Sequence, residues 1–352
     1  MTFQKPAGLD FDMATIGDIL QIVFADIIYT GTQLSEIRDV PAPVCDRQQI
    51  VVDLAFCGIC GSDMHAWHGH DERRVPPLVL GHEAVGVVQD GALQGARVAI
   101  NPLMTCGSCA CCVSGNEHLC AQRELIGMRL PGAFAEKVAI KEQNLTVLPD
   151  DLSFVEAALA EPLACSVHAV RLAVQHADDD RAATIAILGG GAIGLLAGLV
   201  LLDYGYQNIW IAETNQLRRS MLEKLGNFQT YDPRDTAASP QNVDMIIDAV
   251  GSGETRRAAS ALVRPGGVIV HIGLQDNLDG LDSRRITLQE ITFKGTYCYR
   301  NDDFAEALRL LHEGAVTGSG WVDVRPLADG AKAFQDIHNG TAPPKIILDI
   351  TA

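Results

Sequence analysis

The stretch TIAILGGGAIGLLAGLVLL, residues 184–202, joins a short apolar run to a glycine-rich turn and then to a longer apolar segment. Gly189, Gly191 and Gly194 have the spacing G-x-G-x-x-G at the point where a strand would pass into a helix. Glycines at these positions allow a tight turn and a close approach of the backbone to a pyrophosphate at the helix N-terminus. The stretch therefore predicts a dinucleotide-binding loop.

An acidic residue supports this interpretation. Glu213 stands 22 residues after Gly191, at the end of the next apolar run, and could accept hydrogen bonds from both adenosine ribose hydroxyls. A carboxylate there would repel a 2′-phosphate, which favours NAD over NADP, although Arg218 could instead pair with such a phosphate. Ala192 and Ile193, inside the glycine-rich turn, complete the predicted cofactor-binding set.

From about residue 153 onwards, helical patterns alternate with short apolar runs. Such alternation is typical of βαβ units and indicates an α/β fold with a doubly wound parallel sheet. The predicted helices cover residues 154–173 and 217–225, and the predicted strands cover residues 184–188, 208–212, 243–249, 268–272 and 291–294.

The first part of the chain has a different pattern, in which short β-branched runs are broken by glycine or proline. It indicates a β-rich domain with long loops and strands at residues 21–29, 50–56, 84–88, 97–100 and 133–140. With 352 residues the chain fits two domains. Residues 1–20 resemble an extension without an obvious role.

Composition restricts the possible partners. The formal net charge of −17 opposes binding to nucleic acid or to an anionic membrane, so small molecules are the expected partners. No apolar run reaches the roughly 18 residues of a membrane span, and the N-terminus lacks the pattern of a secretory signal. We therefore expect a cytoplasmic protein, in which the ten cysteines serve metal binding rather than disulfides.

One cysteine-rich segment, TCGSCACCVSGNEHLC at residues 105–120, has the spacing of a structural zinc site. Four thiolates so spaced can close a tetrahedron around one zinc ion and leave no position for substrate. An iron–sulfur cluster is the alternative, but its usual run needs a fourth cysteine after three residues, followed by proline. Cys111 falls outside the spacing. The predicted ligands are Cys106, Cys109, Cys112 and Cys120.

A second set of candidate ligands lies in CGICGSDMHAWHG, residues 57–69, and LVLGHEAVG, residues 78–86. Cys60, His82 and Glu83 would bind zinc through sulfur, nitrogen and oxygen and leave a fourth position open, as catalytic zinc sites do. Glu161 is a further candidate, because Pro162 suits the first turn of a helix and would place the glutamate at its cap, facing the cleft. A simple N-cap role for Glu161 is equally compatible with the local sequence.

Together these motifs resemble the zinc-containing medium-chain dehydrogenase/reductase superfamily, most closely its polyol dehydrogenase branch, which includes sorbitol and threonine dehydrogenases. The resemblance runs from about residue 21 to the C-terminus. It implies a GroES-like catalytic domain formed by residues 1–162 and 298–352, with the structural zinc lobe at about residues 105–121. This domain would enclose a Rossmann NAD-binding domain, residues 163–297.

The resemblance also implies roles for individual residues. Cys60 and His82 would bind the catalytic zinc, with Glu83 or Glu161 as the third partner, directly or through water. Ser62 would touch the substrate oxygen. The remaining implied features are His65 as the proton-relay histidine, two zinc ions per chain and a homodimer or homotetramer.

The implied reaction is hydride transfer between a secondary alcohol or polyol and NAD. Glutamate at position 161, where alcohol dehydrogenases proper carry cysteine, favours the polyol branch, whereas Ala66 departs from the tyrosine often found in sugar-alcohol members. Threonine or amino-alcohol oxidation is an alternative within the superfamily. A non-catalytic NAD-binding relative is an alternative of another class, and it is disfavoured by the presence of all the candidate ligands. A zinc-free quinone reductase would lack both cysteine clusters.

Overall fold

The computed structural model describes residues 23–46, 48–177, 180–276 and 278–352. The expected N-terminal extension, residues 1–20, and the first two residues of the strand predicted from residue 21 lie outside the described residues. Among the described residues, no helix is both long and apolar enough to cross a bilayer.

A six-stranded parallel sheet forms the centre of the second half of the chain. Its strands occur in the spatial order β13-β12-β11-β14-β15-β16, which is the order 3-2-1-4-5-6 of a doubly wound dinucleotide-binding sheet. All four residues of its central strand β11 are buried, because helices cover both faces. The strands are β11 (Ile185–Leu188), β12 (Ile209–Ala212), β13 (Phe228–Tyr231), β14 (Val243–Asp248), β15 (Val263–His271) and β16 (Thr292–Gly295).

Helices connect these strands and pack against the sheet. The glycine-rich turn leads from β11 directly into a helix, α5, as the opening stretch predicts. The helices of this half are α4 (Ala160–Gln175), α5 (Ala192–Asp203), α6 (Gln216–Leu225), α7 (Gly253–Leu262), α8 (Ser283–Leu288) and α9 (Asn301–His312). A 3₁₀ turn covers Thr236–Ala238. The predicted α/β fold is confirmed.

The first half of the chain forms a mostly antiparallel β structure with its own hydrophobic core. Its main sheet has seven strands in the order β10-β6-β5-β3-β18-β17, with β9 also paired to β3. A smaller sheet has the order β2-β1-β4, and β7 pairs with β8. The strands are β1 (Val23–Gly31), β2 (Leu34–Pro41), β3 (Gln49–Gly58), β4 (Leu78–Val79), β5 (Glu83–Val88), β6 (Arg97–Ile100), β7 (Leu103–Met104), β8 (Glu124–Leu125), β9 (Lys137–Lys141), β10 (Leu145–Val147), β17 (Val322–Pro326) and β18 (Lys345–Asp349).

The last strands return to the first half of the chain. β18 pairs antiparallel with β3 and parallel with β17, so the C-terminal segment completes the sheet begun by the N-terminal half. The remaining helices are α1 (Gly61–Trp67), α2 (Ala110–Val113), α3 (Phe154–Ala157) and α10 (Gly330–His338), with 3₁₀ turns at Glu117–Leu119, Glu142–Asn144 and Leu327–Asp329.

The prediction of one helix over residues 154–173 is wrong in one respect, because the structure has two helices there. α3 ends at Ala157, and α4 begins at Ala160 with Leu159 as its N-cap. Glu161 is therefore the second residue of α4 rather than the capping residue. Its side chain is buried in the first turn, where it can face the interior instead of satisfying the helix end.

The turn after β11 depends on glycine for close packing. A Cβ atom on Gly194 would lie 1.9 Å from the carbonyl oxygen of Gly189, whereas a Cβ on Gly191 would meet nothing within 4 Å. Gly191 also has a φ of −74°, which other residues adopt readily.

We therefore expect Gly194→Ala to lower the free energy of unfolding by about 1–3 kcal/mol, the usual cost of overpacking. The matched variant Gly191→Ala should unfold like the wild type and lose only cofactor affinity. Thermal and urea unfolding measure the first effect, and NADH fluorescence measures the second. Equal unfolding midpoints for the two variants would contradict the packing argument.

Candidate active site

Cys60 lies at the start of the short helix α1, in the bend between β3 and that helix. It is the N-cap residue, and its Sγ accepts a hydrogen bond from the backbone N–H of Ser62 at 3.5 Å. The backbone N–H of Cys60 donates to Oδ2 of Asp63 at 3.0 Å. These contacts fix the thiol at the edge of the site.

His82 is buried behind Cys60 and is oriented by the carboxylate of Asp63. Nδ1 of His82 lies 3.4 Å from Oδ1 of Asp63, and the same Oδ1 accepts from the backbone N–H of Gly81 at 3.3 Å. Burial disfavours the imidazolium, but the charges of Asp63 and Cys60 outweigh it and raise the pKa of His82 well above its usual value. With Nδ1 directed at Asp63, the Nε2 atom is left for a ligand, an arrangement usual for metal-binding histidines.

Glu83 is fully buried and forms an ion pair with Lys345, which lies on β18. The Nζ atom of Lys345 also donates to the carbonyl oxygen of Ile59 at 2.9 Å. Oε2 of Glu83 accepts a hydrogen bond from Nζ of Lys345, whereas Oε1 has no hydrogen-bond partner among the described residues. A buried carboxylate oxygen without a partner is unfavourable, and a cation would satisfy it.

The structure brings Cys60, His82 and Glu83 together. One ligand atom from each lies within 4.8 Å of the other two. Glu161 is not a member of this group. It is buried nearby on α4, where its Oε1 lies 3.8 Å from the Sγ of Cys165. Burial raises the pKa of Glu161 to about 7; His82 opposes this rise and Glu83 adds to it.

Ser62 and His65, the two residues expected to handle protons, both lie on α1. The Oγ of Ser62 is 3.4 Å from Nε2 of His82. His65 lines the large cleft between the two halves of the molecule, and burial, reinforced by the charge of His70, lowers its pKa. Ala66 is completely buried in the hydrophobic core and does not line this cleft.

The same cleft, about 1170 Å³ in volume, continues over the carboxyl ends of the parallel strands. Among the predicted cofactor-binding residues, Gly189, Gly191, Glu213 and Arg218 line it. Gly194 lies beneath the turn, while Ala192 and Ile193 are half-buried in the first turn of α5 and do not line the cleft.

The carboxylate of Glu213 is held by the glycine-rich turn itself. It accepts from the backbone N–H of Gly190 at 3.1 Å and from that of Asn215 at 2.8 Å. The Nε atom of Arg218 is buried and has no partner among the described residues. This end of the cleft therefore carries both a fixed carboxylate and a guanidinium whose Nε atom is unsatisfied.

The four-cysteine segment forms a separate cluster in a loop that contains α2. The Sγ atoms of Cys109 and Cys112 are 3.5 Å apart, as are those of Cys106 and Cys120, and Cys106 lies 3.9 Å from Cys112. Four sulfurs bound to zinc at about 2.3 Å would be separated by about 3.8 Å in a tetrahedron. All ten cysteines belong to the described part of the chain, and none forms a disulfide. Cys111 is outside the cluster.

Three residues of the site were not singled out from the sequence. Asp63 stands within the CGICGSDMHAWHG motif, and its spacing from Cys60 could have identified it as a capping and orienting residue. Arg74, which contacts Ser62, lies in a loop that has no motif of its own. Lys345 reaches the site only because β18 pairs with β3, so no local signal could have found it.

Comparison with known proteins agrees with this arrangement. Residues 46–150 match the family model "Alcohol dehydrogenase GroES-like domain", and residues 192–313 match "Zinc-binding dehydrogenase". A 2-dehydro-3-deoxy-L-galactonate 5-dehydrogenase of Pseudoalteromonas atlantica is 28% identical over 92% of this chain and 98% of the relative. A D-arabitol-phosphate dehydrogenase of Enterococcus avium is 30% identical over 86% of this chain and 90% of the relative.

A solved structure has the same fold. The putative zinc-binding dehydrogenase from Sinorhizobium meliloti, bound to NADP, superposes with a TM-score of 0.82 and 27% sequence identity, covering 94% of this chain and 100% of that one. The chain is an oxidoreductase and belongs to the zinc-containing medium-chain dehydrogenase/reductase superfamily, in its polyol dehydrogenase branch.

Proposed function

We propose that this protein is a zinc-dependent, NAD-linked dehydrogenase that interconverts a secondary alcohol or polyol and the corresponding ketone. The observation that carries the proposal is the convergence of Cys60, His82 and Glu83 beside Ser62 and close to the nucleotide cleft. These three groups offer a thiolate, an imidazole nitrogen and a carboxylate oxygen, which is a donor set suited to catalytic zinc.

We propose Glu83 rather than Glu161 as the third ligand. A carboxylate oxygen of Glu83 belongs to the group of ligand atoms within 4.8 Å, and Glu161 is not a member of that group. Oε1 of Glu83 has no hydrogen-bond partner among the described residues. Lys345 donates to the other oxygen of Glu83 and so leaves Oε1 for a metal ion. Glu161 would then act as a nearby carboxyl that faces the site without holding the metal directly.

Bound zinc would supply Lewis-acid polarisation of the substrate oxygen, and bound NAD would accept or donate the hydride. The chain's own residues would handle the proton. Ser62 would hydrogen-bond the substrate hydroxyl, and His65, half-buried at the cleft wall, would exchange the proton with solvent. Glu213 would bind the adenosine ribose. Its fixed carboxylate supports NAD, although Arg218 beside it leaves NADP to be tested.

The four-cysteine cluster would hold a second, structural zinc ion, giving two per chain. We further propose the domain boundaries inferred from the sequence, residues 1–162 with 298–352 and residues 163–297. Pairing of β17 and β18 with the N-terminal sheet supports that division. A cytoplasmic location and a homodimer or homotetramer also remain proposals, the former supported by ten unpaired cysteines.

The substrate class follows from the relatives. The curated relatives are named for a sugar-acid ketone and a polyol phosphate, both of which carry several hydroxyl groups. Buried Ala66 gives no reason to exclude a polyol, because position 66 does not line the described cleft. We therefore favour a polyhydroxylated secondary alcohol over a simple one.

A substrate panel tests the proposal directly. Polyols, polyol phosphates, sugar acids, simple secondary alcohols and L-threonine should be assayed for NADH and NADPH formation, with zinc measured alongside. We expect NADH formation with a polyhydroxylated member and two zinc ions per chain. Turnover restricted to L-threonine would favour the amino-alcohol alternative, and absence of turnover with a zinc-loaded protein would favour a non-catalytic relative.

Cys60→Ser should abolish turnover, because the open site would lose its thiolate ligand. The fold and the affinity for NADH should be retained, since Cys60 lies outside the nucleotide loop. Zinc analysis should give about one ion per chain instead of about two. Normal turnover in this variant would contradict the assignment of the open site.

Lys345→Met should lower the free energy of unfolding by about 3–5 kcal/mol, because it leaves the buried carboxylate of Glu83 without its partner. The double variant Glu83→Gln/Lys345→Met should recover part of this loss, since it contains no unpaired charge. Urea unfolding of both variants and of Glu83→Gln completes the cycle. Additive effects would show that the two side chains are not coupled.

Cys106→Ser should mainly reduce stability and remove about one zinc ion per chain, because the cysteine cluster is closed to substrate. The matched control is Cys111→Ser, which alters a cysteine in the same loop that is not part of the cluster. Thermal unfolding and zinc analysis measure both effects. A full zinc content and an unchanged melting temperature in Cys106→Ser would count against the structural site.

A further inference from the structure

A buried arginine, Arg74, lies directly behind Ser62. We infer that Arg74 is a positioning residue for the hydroxyl of Ser62 in the proposed reaction, an inference that rests on the proposed function. Its Nη2 atom donates to the Oγ of Ser62 at 3.2 Å, and its Nη1 atom donates to the carbonyl oxygen of the same residue at 3.3 Å. The planar guanidinium therefore holds both the backbone and the side chain of Ser62.

Arg74 is itself held rigidly. Its side chain is only 1% exposed, and its Nη1 atom pairs with Oδ2 of Asp71 at 2.7 Å. Its Nε atom donates to the carbonyl oxygen of Gly127 at 2.8 Å. The contact with Asp71 lies within the loop itself, and the contact with Gly127 joins the loop to the segment after β8, so both fix the position from which Arg74 reaches Ser62.

The chemistry of arginine decides how the hydroxyl is oriented. A guanidinium has donors and no acceptor, so the Oγ of Ser62 accepts the hydrogen bond from Arg74 and its single proton points elsewhere. The other described neighbour of Oγ is Nε2 of His82 at 3.4 Å, the nitrogen that faces the proposed metal. A nitrogen that binds metal through its lone pair accepts no hydrogen bond.

One lone pair of Oγ and its proton are then left for the reaction. In alcohol oxidation the substrate loses a hydride to NAD and a proton to solvent, so the proton needs a path of its own. Ser62 would receive the proton of the substrate hydroxyl on the free lone pair while it passes its own proton onward, in the direction of His65 and solvent. Ser62 is neutral before and after this exchange, and Arg74 keeps it in the relay orientation.

Arg73 provides a matched control. It pairs with the same Asp71 through Nε at 2.8 Å and Nη2 at 3.0 Å, but its side chain is half-exposed and makes no described contact with Ser62. Because Arg73 remains paired with Asp71, a substitution of Arg74 does not leave that carboxylate without a partner. Both variants lose one arginine, but only Arg74→Met loses the contact with Ser62, so comparing them isolates the effect of that contact.

We expect Arg74→Met to lower kcat at least tenfold, with zinc content unchanged and the Kd for NADH within twofold of the wild type. Arg74→Lys should recover part of kcat, because a single ammonium can reach only one of the two oxygens of Ser62. Arg73→Met should stay within twofold. In a Ser62→Ala background, Arg74→Met should change kcat by less than twofold, since its partner is already gone.

Multiplicative effects of Ser62→Ala and Arg74→Met, or equal losses in Arg74→Met and Arg73→Met, would overturn the inference. If Arg74→Met does not fold, the Arg74→Lys and Ser62→Ala pair supplies the same comparison. Crystal structures of the zinc-loaded wild type and Arg74→Met give a readout independent of turnover. An unchanged Ser62 rotamer in Arg74→Met together with full activity would contradict positioning, whereas absence of alcohol-dependent NADH formation in the wild type would refute only the proposed function.

Discussion

The ion pair between Glu83 and Lys345 is the interaction on which the arrangement of the site depends. Both side chains are almost inaccessible to solvent, and an isolated charge in such surroundings would be strongly unfavourable. Glu83 begins β5, Lys345 begins β18, and both strands pair with β3. The C-terminal strand must therefore dock before the carboxylate of Glu83 can remain buried. The same docking brings the last segment of the chain against the N-terminal half.

Other buried charges of the site are compensated in the same way. His82 is paired with Asp63, and Arg74 is paired with Asp71, within the first half of the chain. The pairs with Lys345 and Asp63 still leave one polar atom available at the site: Oε1 of Glu83 has no hydrogen-bond partner among the described residues, and Nε2 of His82 contacts the Oγ of Ser62 at 3.4 Å. The groups available for chemistry are thus the unsatisfied ends of an otherwise compensated polar network. This arrangement explains why polar atoms of His82 and Glu83 lie close together although some of them have no described hydrogen-bond partner.

The sequence predicted what local patterns encode. The glycine-rich turn and the alternation of strands and helices depend on residues close together in the chain, and the structure contains both. The four closely spaced cysteines also lie together, and their role as zinc ligands stays a prediction. The boundary of β15 was harder, because Val263–His271 includes Pro265, Gly266 and Gly267, which suggest a turn rather than the start of a strand. The break between α3 and α4 was also missed. Leu159, an apolar residue, is the N-cap of α4 and gives no capping signal.

The two clusters of candidate ligands differ in burial, and this difference suits them to different chemical roles. Cys106, Cys109 and Cys112 are partly exposed in a loop, where four thiolates can enclose a cation without help from the rest of the fold. His82 and Glu83 are buried, where electrostatic interactions are strong and a cation would have its largest effect on a neighbouring oxygen. The loop can form its cluster from one segment of sequence, and spacing was sufficient to identify it. The buried site requires strands from both ends of the chain, so the preference for Glu83 over Glu161 as the proposed third ligand depends on the pairing of those strands and not on local spacing.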